Sequence, residues 1–476
     1  DRNQAGSKGK SVGIMQRCEC MQDRIRSRRV IVSALLLVLV CGFGSASGEK
    51  VKNEEATYGY GPKVYAAAAM SIRRPDLQHW NELLCYYFQT GFDHLILFFD
   101  EAGDPAIEKT REFGEERVTV IIRDADLEKQ WTKGKLWEKL GAFIESEVMA
   151  RQMLNEEVAV RLLREKDVGD VAAKWLLHLD GDEVLYMSKT NAKQHYSALT
   201  RDGFMQAVYL NHEVVPESIM KEGDSILESM TLFKMNIISF GHLESVQKAR
   251  TEWEREKGPY AVGYWTGKAA VRVDGEYEPL PLEVTRFYLP VGQAKRAIFD
   301  DPCILHFLNP SAKFISDKYG MIHVGENQFD PASAKPKEGS MDSSKWPKSG
   351  KVLRYHKWLA DTARKGKKPL EQLFNRHFLV EKGSAEARRF MAAGLLQRFK
   401  KVKKLVRKAR KEGCPAKVPL DKDVQNSTNP EDYRLRPYTQ CLEFTKSEEV
   451  FCFTKAHCCQ SIRASKGALK VPPEPY

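Results

Sequence analysis

Between residues 63 and 190, short apolar runs alternate with amphipathic stretches. The runs at 64–70, 94–99, 117–123 and 174–179 are nearly continuous in apolar residues, the pattern of strands buried on both faces. Residues 75–90 read as a helix. Pro75 and Asp76 mark its start, Leu77, Trp80, Leu83, Leu84 and Tyr87 share one face, and Gly91 stops it. A longer helical region is expected over 127–165. Helices separating buried strands predict a parallel sheet with both faces covered. Ligands of such sheets bind outside the carboxyl ends of the strands. The fourth strand runs straight into Asp180-Gly181-Asp182-Glu183, so its acidic group belongs at such an end.

Past residue 200 the pattern changes. Extended pieces at 204–210, 231–234 and 269–273 are shorter and separated by more loop, as in the mixed half of the same domain. We therefore expect one domain over 60–325 and a linker with peripheral helices over 326–383, with a stretch rich in Pro, Lys, Ser and Gly over 325–350 at their junction. A basic helix should follow over 384–412, with Leu395, Phe399, Val402 and Val406 as a narrow apolar stripe. Residues 413–476 form a Cys-containing segment. No internal repeat is evident.

The front of the chain follows another logic. Residues 1–20 are polar and aperiodic and read as extra translated sequence, with Met21 as the true start. Residues 21–48 show a basic stretch, an apolar run and a small-residue stretch, the layout of a secretory signal peptide or an uncleaved signal-anchor. Either directs the body to the secretory lumen, secreted or held in the Golgi as a type II protein, with membrane association through the apolar segment. The cysteines agree with an oxidising lumen. Of 10 Cys, Cys414, Cys441, Cys452, Cys458 and Cys459 cluster near the end, which fits a disulfide-tied segment better than zinc, since no CxxC pair is present. Asn426-Ser427-Thr428 is a glycosylation sequon.

Composition sets the outer limits. With 476 residues and 42% hydrophobic content the chain can build a large core, which excludes wholesale disorder and a small disulfide scaffold. The net charge of +11 is matched by the eleven Lys and Arg between Arg388 and Lys411, where no acid occurs. The basic footprint is thus local. A lumenal address argues against nucleic acid, and the basic stretch reads as a solvated helix face rather than an anionic-lipid or acidic-glycan site.

Asp180 and Asp182, two residues apart at a strand end with Gly181 between them, can point towards one cation. Hard oxygen ligands of this kind suit Mn²⁺ or Mg²⁺, with water or phosphate completing the shell. A calcium loop is excluded, because Val184 and Leu185 stand where a ligand and a glycine are required. A glycoside hydrolase places its two carboxylates on opposite sides of a bond, farther apart than one loop allows.

Four blocks carry a resemblance over roughly residues 63–325. They are Glu82-Leu-Leu-Cys-Tyr86-Tyr-Phe-Gln-Thr-Gly91-Phe-Asp93-His94; Phe98-Phe-Asp100-Glu-Ala-Gly-Asp104; Trp175-Leu-Leu-His-Leu-Asp180-Gly-Asp182-Glu183; and Gly267-Lys268-Ala-Ala-Val271-Arg272 with the later Ile304-Leu-His306-Phe307. In order and spacing they resemble GT-A-type glycosyltransferases of family 92 and the family 2-like group. The sequence departs from that pattern at Ile72-Arg73-Arg74-Pro75-Asp76, at Leu83 and at Tyr86-Tyr87. The resemblance implies an α/β fold with a Rossmann-like mixed sheet, a helical and Cys-containing C-terminal extension, and transfer of a sugar, hexosyltransferase-like, from a UDP-linked donor to a glycan or glycoprotein. It implies that Asp180, Asp182 and His306 hold the metal, that Lys268 meets the diphosphate, and that Arg73, Glu82 and Asp100 contact the nucleotide. Physically, a departing diphosphate concentrates negative charge that a cation neutralises. If the reaction inverts, a carboxylate must take the acceptor proton. Glu213 is the first candidate, with Asp300 and Asp301 behind it and Glu183 in a supporting place. The competing class is a non-catalytic carbohydrate-binding or scaffold protein that retains the fold.

Overall fold

The computed structural model divides into two units, Asp1–Thr57 and Tyr58–Tyr476, and all the described residues belong to the second. It describes residues 63–145, 147–240, 243–261, 267–289, 295–322 and 358–414, with two short strands at 441–443 and 450–452. The first unit, and with it the expected signal segment at 21–48, lies outside the described residues, as do the Asn426 sequon and the 325–350 linker.

Eight strands form the main sheet: β1 (Val64–Ile72), β2 (His94–Phe99), β3 (Val118–Ile122), β4 (Ala173–Asp180), β5 (Glu183–Tyr186), β6 (Phe204–Glu213), β8 (Lys268–Arg272) and β11 (Lys295–His306). Short strands β7 (Leu232–Lys234), β9 (Leu280–Glu283) and β10 (Arg286–Tyr288) lie between them in sequence. The spatial order is β3-β2-β1-β4-β8-β6-β11-β5. The first four strands are parallel, as the apolar runs predict. β8 lies antiparallel to β4 and β6, and β5 antiparallel to β11, which gives the mixed half. The α/β class with a mixed sheet flanked by helices is therefore the observed one.

Alternation along β1 shows why the runs are apolar on both sides. Ala66, Ala68 and Met70 join one core, while Ala67 and Ala69 join the core on the opposite face. The helix Leu77–Gln89 starts where Asp76 accepts the backbone N–H of His79 at 2.9 Å. It ends at Thr90, followed by Gly91 at φ +93°, a value natural to glycine. The same helix buries Trp80, whose indole N–H donates to Thr110 Oγ1 at 2.8 Å. The long helical region expected over 127–165 is broken into Ala125–Thr132, Trp137–Leu140 and Val148–Glu165.

The expected single helix over 384–412 is also divided. A helix at Ala385–Ala392 ends before Gly394, which takes φ +79°. Leu396–Arg398 then forms a strand, β12, paired antiparallel to β7. The helix Lys401–Glu412 follows. Sheet pairing of Leu396–Arg398 with a segment more than 160 residues earlier outcompetes local helix continuation. Val402, Val406 and Ala409 of the last helix join the same core as Tyr86. A disulfide between Cys85 and Cys414 fastens its end to the helix Leu77–Gln89. Among the described residues no helix is long and apolar enough to cross a membrane.

Candidate functional site

The carboxyl ends of β4 and β11 meet through β5. Asp180 closes β4, Glu183 opens β5, and β5 pairs with β11 so that Glu183 lies opposite His306. β6 places Glu213 opposite His306 from the other side. Directly paired residues share one face of a sheet. Glu183, His306 and Glu213 thus stand in a row across three strands, with the Asp180–Asp182 loop at one end. The Asp182 carbonyl accepts the backbone N–H of Phe307 at 2.8 Å, which pins that loop to the strand carrying His306.

Asp182 is nearly buried. Its Oδ2 accepts from Lys318 Nζ at 2.7 Å and lies 3.5 Å from His306 Nε2. Burial opposes its ionisation, but the Lys318 ammonium and the His306 ring outweigh that cost and hold the carboxyl well below the usual carboxylate range. For His306 burial works against charge, yet Asp182 beside it raises the pKa above the ordinary histidine value. Asp180 sits 2.9 Å from Lys268 Nζ and accepts Gln152 Nε2 at 2.7 Å. Lys268 is fully buried, also faces Glu183 at 3.7 Å, and donates to the Val284 carbonyl at 3.2 Å. Its position follows from Gly267, at φ +67°, where a Cβ would fall 1.7 Å from the Tyr209 carbonyl oxygen. Burial pushes the Glu183 and Glu156 carboxyls up, so the acids beneath the loop are drawn towards their neutral forms.

Beside this row lies a small hollow lined by Asn211, Glu213, Lys234, Asn236, Tyr260 and Ala261 among others. Asn211 joins the two regions, its Nδ2 lying 3.5 Å from His306 Nδ1. Glu213 Oε2 accepts from Lys234 Nζ at 3.1 Å.

The structure therefore brings Asp180, Asp182, His306, Lys268 and Glu213 to one end of the sheet. Asp100, at the end of β2, is held by Arg151 at 2.9 Å. Arg73 pairs with Glu101 at 2.9 Å on the exposed rim next to it. Glu82 is elsewhere. It accepts from Ser225 Oγ and Arg410 and fastens the helix Leu77–Gln89 to the helix Lys401–Glu412. Asp300 accepts from Ser239 at 2.7 Å and faces His212 at 3.2 Å, and Asp301 is bound to Ser188, both away from Asp182.

Asp180, Asp182 and His306 are the residues expected to hold Mn²⁺ or Mg²⁺. In this arrangement each carboxylate faces a lysine ammonium, whereas a hard divalent ion needs several converging oxygens free of competing cations. Among the described residues no three His, Cys, Asp or Glu side chains converge to hold an ion. The donor set as arranged does not fit a directly ligated divalent cation.

No family model matches the chain. It is 28% identical over 260 residues to the protein Glycosyltransferase-like At2g41451 of Arabidopsis thaliana, covering 52% of this chain and 53% of that one. Over 182 residues it is 28% identical to Glycosyltransferase-like At3g57200 of the same plant, covering 34% and 32%. The chain is similar to glycosyltransferase-like proteins. It spans about half the length of the first of these relatives and about a third of the second. Among solved structures, mouse xyloside xylosyltransferase 1 in its apo form aligns at 12% identity over 45% of this chain and 68% of that chain, with a TM-score of 0.22.

The sequence did not point to Lys318. It lies on the helix Ala312–Ile322, beyond the last block of the resemblance, where a lone lysine carries no motif. The only available signal was that a nearly buried Asp182 must have a cationic partner.

Proposed function

We propose that this protein transfers a glycosyl group from a nucleotide-sugar donor, UDP-linked in the first instance, to a hydroxyl of a glycan or glycoprotein. The observation that carries this reading is the pairing of Asp182 with His306 and Lys318, next to Asp180 on Lys268, at the carboxyl ends of β4 and β11, in a chain similar to glycosyltransferase-like proteins. Open α/β sheets bind ligands at such strand ends. In this reading the nucleotide lies along the ends of β1, β2 and β4, near Arg73 and Asp100. The sugar faces the row formed by Asp182, His306 and Glu213. The acceptor approaches from the side of Glu213, whose carboxylate takes the acceptor proton. A lumenal, Golgi-type setting belongs to the same proposal, and the Cys85–Cys414 disulfide supports an oxidising compartment.

The test is nucleotide release by the purified full chain from a panel of UDP-, GDP- and CDP-sugars, with a glycan acceptor mixture, in Mn²⁺ and in EDTA. Turnover of one donor above buffer, lost in D182N, is the expected result. Glycan binding without release from any donor would favour the non-catalytic carbohydrate-binding class instead.

A further inference from the structure

Two lysines share the acidic end of the sheet, and they are unequal. Lys268 has no exposed side-chain surface, lies beneath Asp180 and Glu183, and cannot reach a ligand without unfolding its surroundings. Lys318 is 31% exposed while its Nζ touches Asp182 Oδ2 at 2.7 Å. An ammonium carries three donors, so Lys318 can keep Asp182 and still have donor capacity for a ligand. Its four-carbon stem comes from the helix Ala312–Ile322, which lies outside the sheet and follows directly on the strand bearing His306.

We propose that Lys318 is the cation that meets the departing nucleoside diphosphate, in the place where a divalent ion was expected. The proposal rests on the glycosyl-transfer reading above and deepens it. In the step, the bond between the anomeric carbon and the diphosphate oxygen breaks, and its electron pair leaves with the diphosphate. The acceptor oxygen forms the new bond to the anomeric carbon, and its proton passes to Glu213. Lys318 transfers no proton. It supplies positive charge within hydrogen-bond reach of the leaving oxygens, a charge-assisted contact that strengthens as the bond breaks. Asp182 is then the residue that positions this ammonium. The ion pairs agree: Lys268 faces Asp180 and Lys318 faces Asp182, so each carboxylate of the loop already has a cation beside it.

The experiment is calorimetric titration of UDP, GDP and CDP into the full chain, in EDTA and in MnCl₂, for wild type, K318M, K318R and K313M. Lys313 is an exposed lysine on the same helix and pairs with Asp317. Expected is binding of one nucleotide in EDTA that Mn²⁺ changes little, weakened about tenfold or more in K318M, mostly retained in K318R and unchanged in K313M. Thermal melts establish that each variant folds. Should K318M fail to fold, K318Q replaces it in the same titration, with the same loss expected and unchanged binding overturning the proposal. Wild-type binding that appears only with Mn²⁺, or that K318M leaves unchanged, overturns the proposal and leaves the sugar-transfer reading standing. Binding of no nucleotide in either condition overturns both.

Discussion

On Asp182 two opposing forces act on one carboxyl. Burial favours the neutral acid, and Lys318 with His306 favours the anion and prevails. The folded pKa is therefore depressed, so the stabilisation is complete above the unfolded carboxylate value of about 3.9 and fades as pH falls towards the folded value. D182N should flatten the dependence of melting temperature on pH below about pH 4, measured by circular dichroism. An unchanged profile would mean that the pair contributes nothing to folding. The same variant should lower donor turnover by about a hundredfold or more, because Lys318 loses its anchor. Asp180 and Asp182 were legible in sequence because an apolar run points straight at them. The burial of Lys268 was not, since lysine reads as exposed unless its partners are known. Those partners come from β4 and β5, some eighty residues upstream.

Between residue and molecule, two junctions set the geometry. Gly267 lets β8 enter the sheet against the Tyr209 carbonyl. G267A should lower the melting temperature and, by shifting Lys268, weaken nucleotide binding, and a variant that melts and binds like wild type would refute that dependence. The second junction is the helix Lys401–Glu412 on the helix Leu77–Gln89, held by Cys85–Cys414, by Arg410 with Glu82 and Glu228, and by Arg407 with Glu228. Loss of a native disulfide typically costs about 2–5 kcal/mol. C85S should therefore melt earlier and be cut faster by trypsin at the Lys and Arg of 398–411, with fragment mapping as the readout. The four parallel strands were readable because continuous apolar runs have one common use in α/β proteins. The break in 384–412 was not, because the pairing partner Leu232–Lys234 of Leu396–Arg398 is remote in sequence. Glu82, read as a nucleotide contact, serves this junction instead, a role set by Arg410 far along the chain.

Over the whole molecule, buried histidines set the response to acid. Burial lowers His195 to about 3, burial with Lys268 lowers His178 to about 3, and burial with Lys166 lowers His94 to about 4. Each folded value lies below the unfolded value of about 6.5, so unfolding takes up protons. Their contribution is full above pH ~6.5 and is lost as pH falls towards the folded values. His306 has the opposite sign: its stabilising charge is present below pH ~6.5 and disappears as pH rises through its elevated folded pKa. The melting temperature should drop steeply from pH 6.5 to 4, and H195N, which can keep a polar contact with Tyr209, should reduce the slope by about one proton. A slope unaltered in H195N would remove His195 from this account. The bond between residues 85 and 414 carries a temporal consequence as well. A nascent polypeptide cannot close it until 329 further residues have been translated, so the link is made only once every strand of the main sheet has been synthesised.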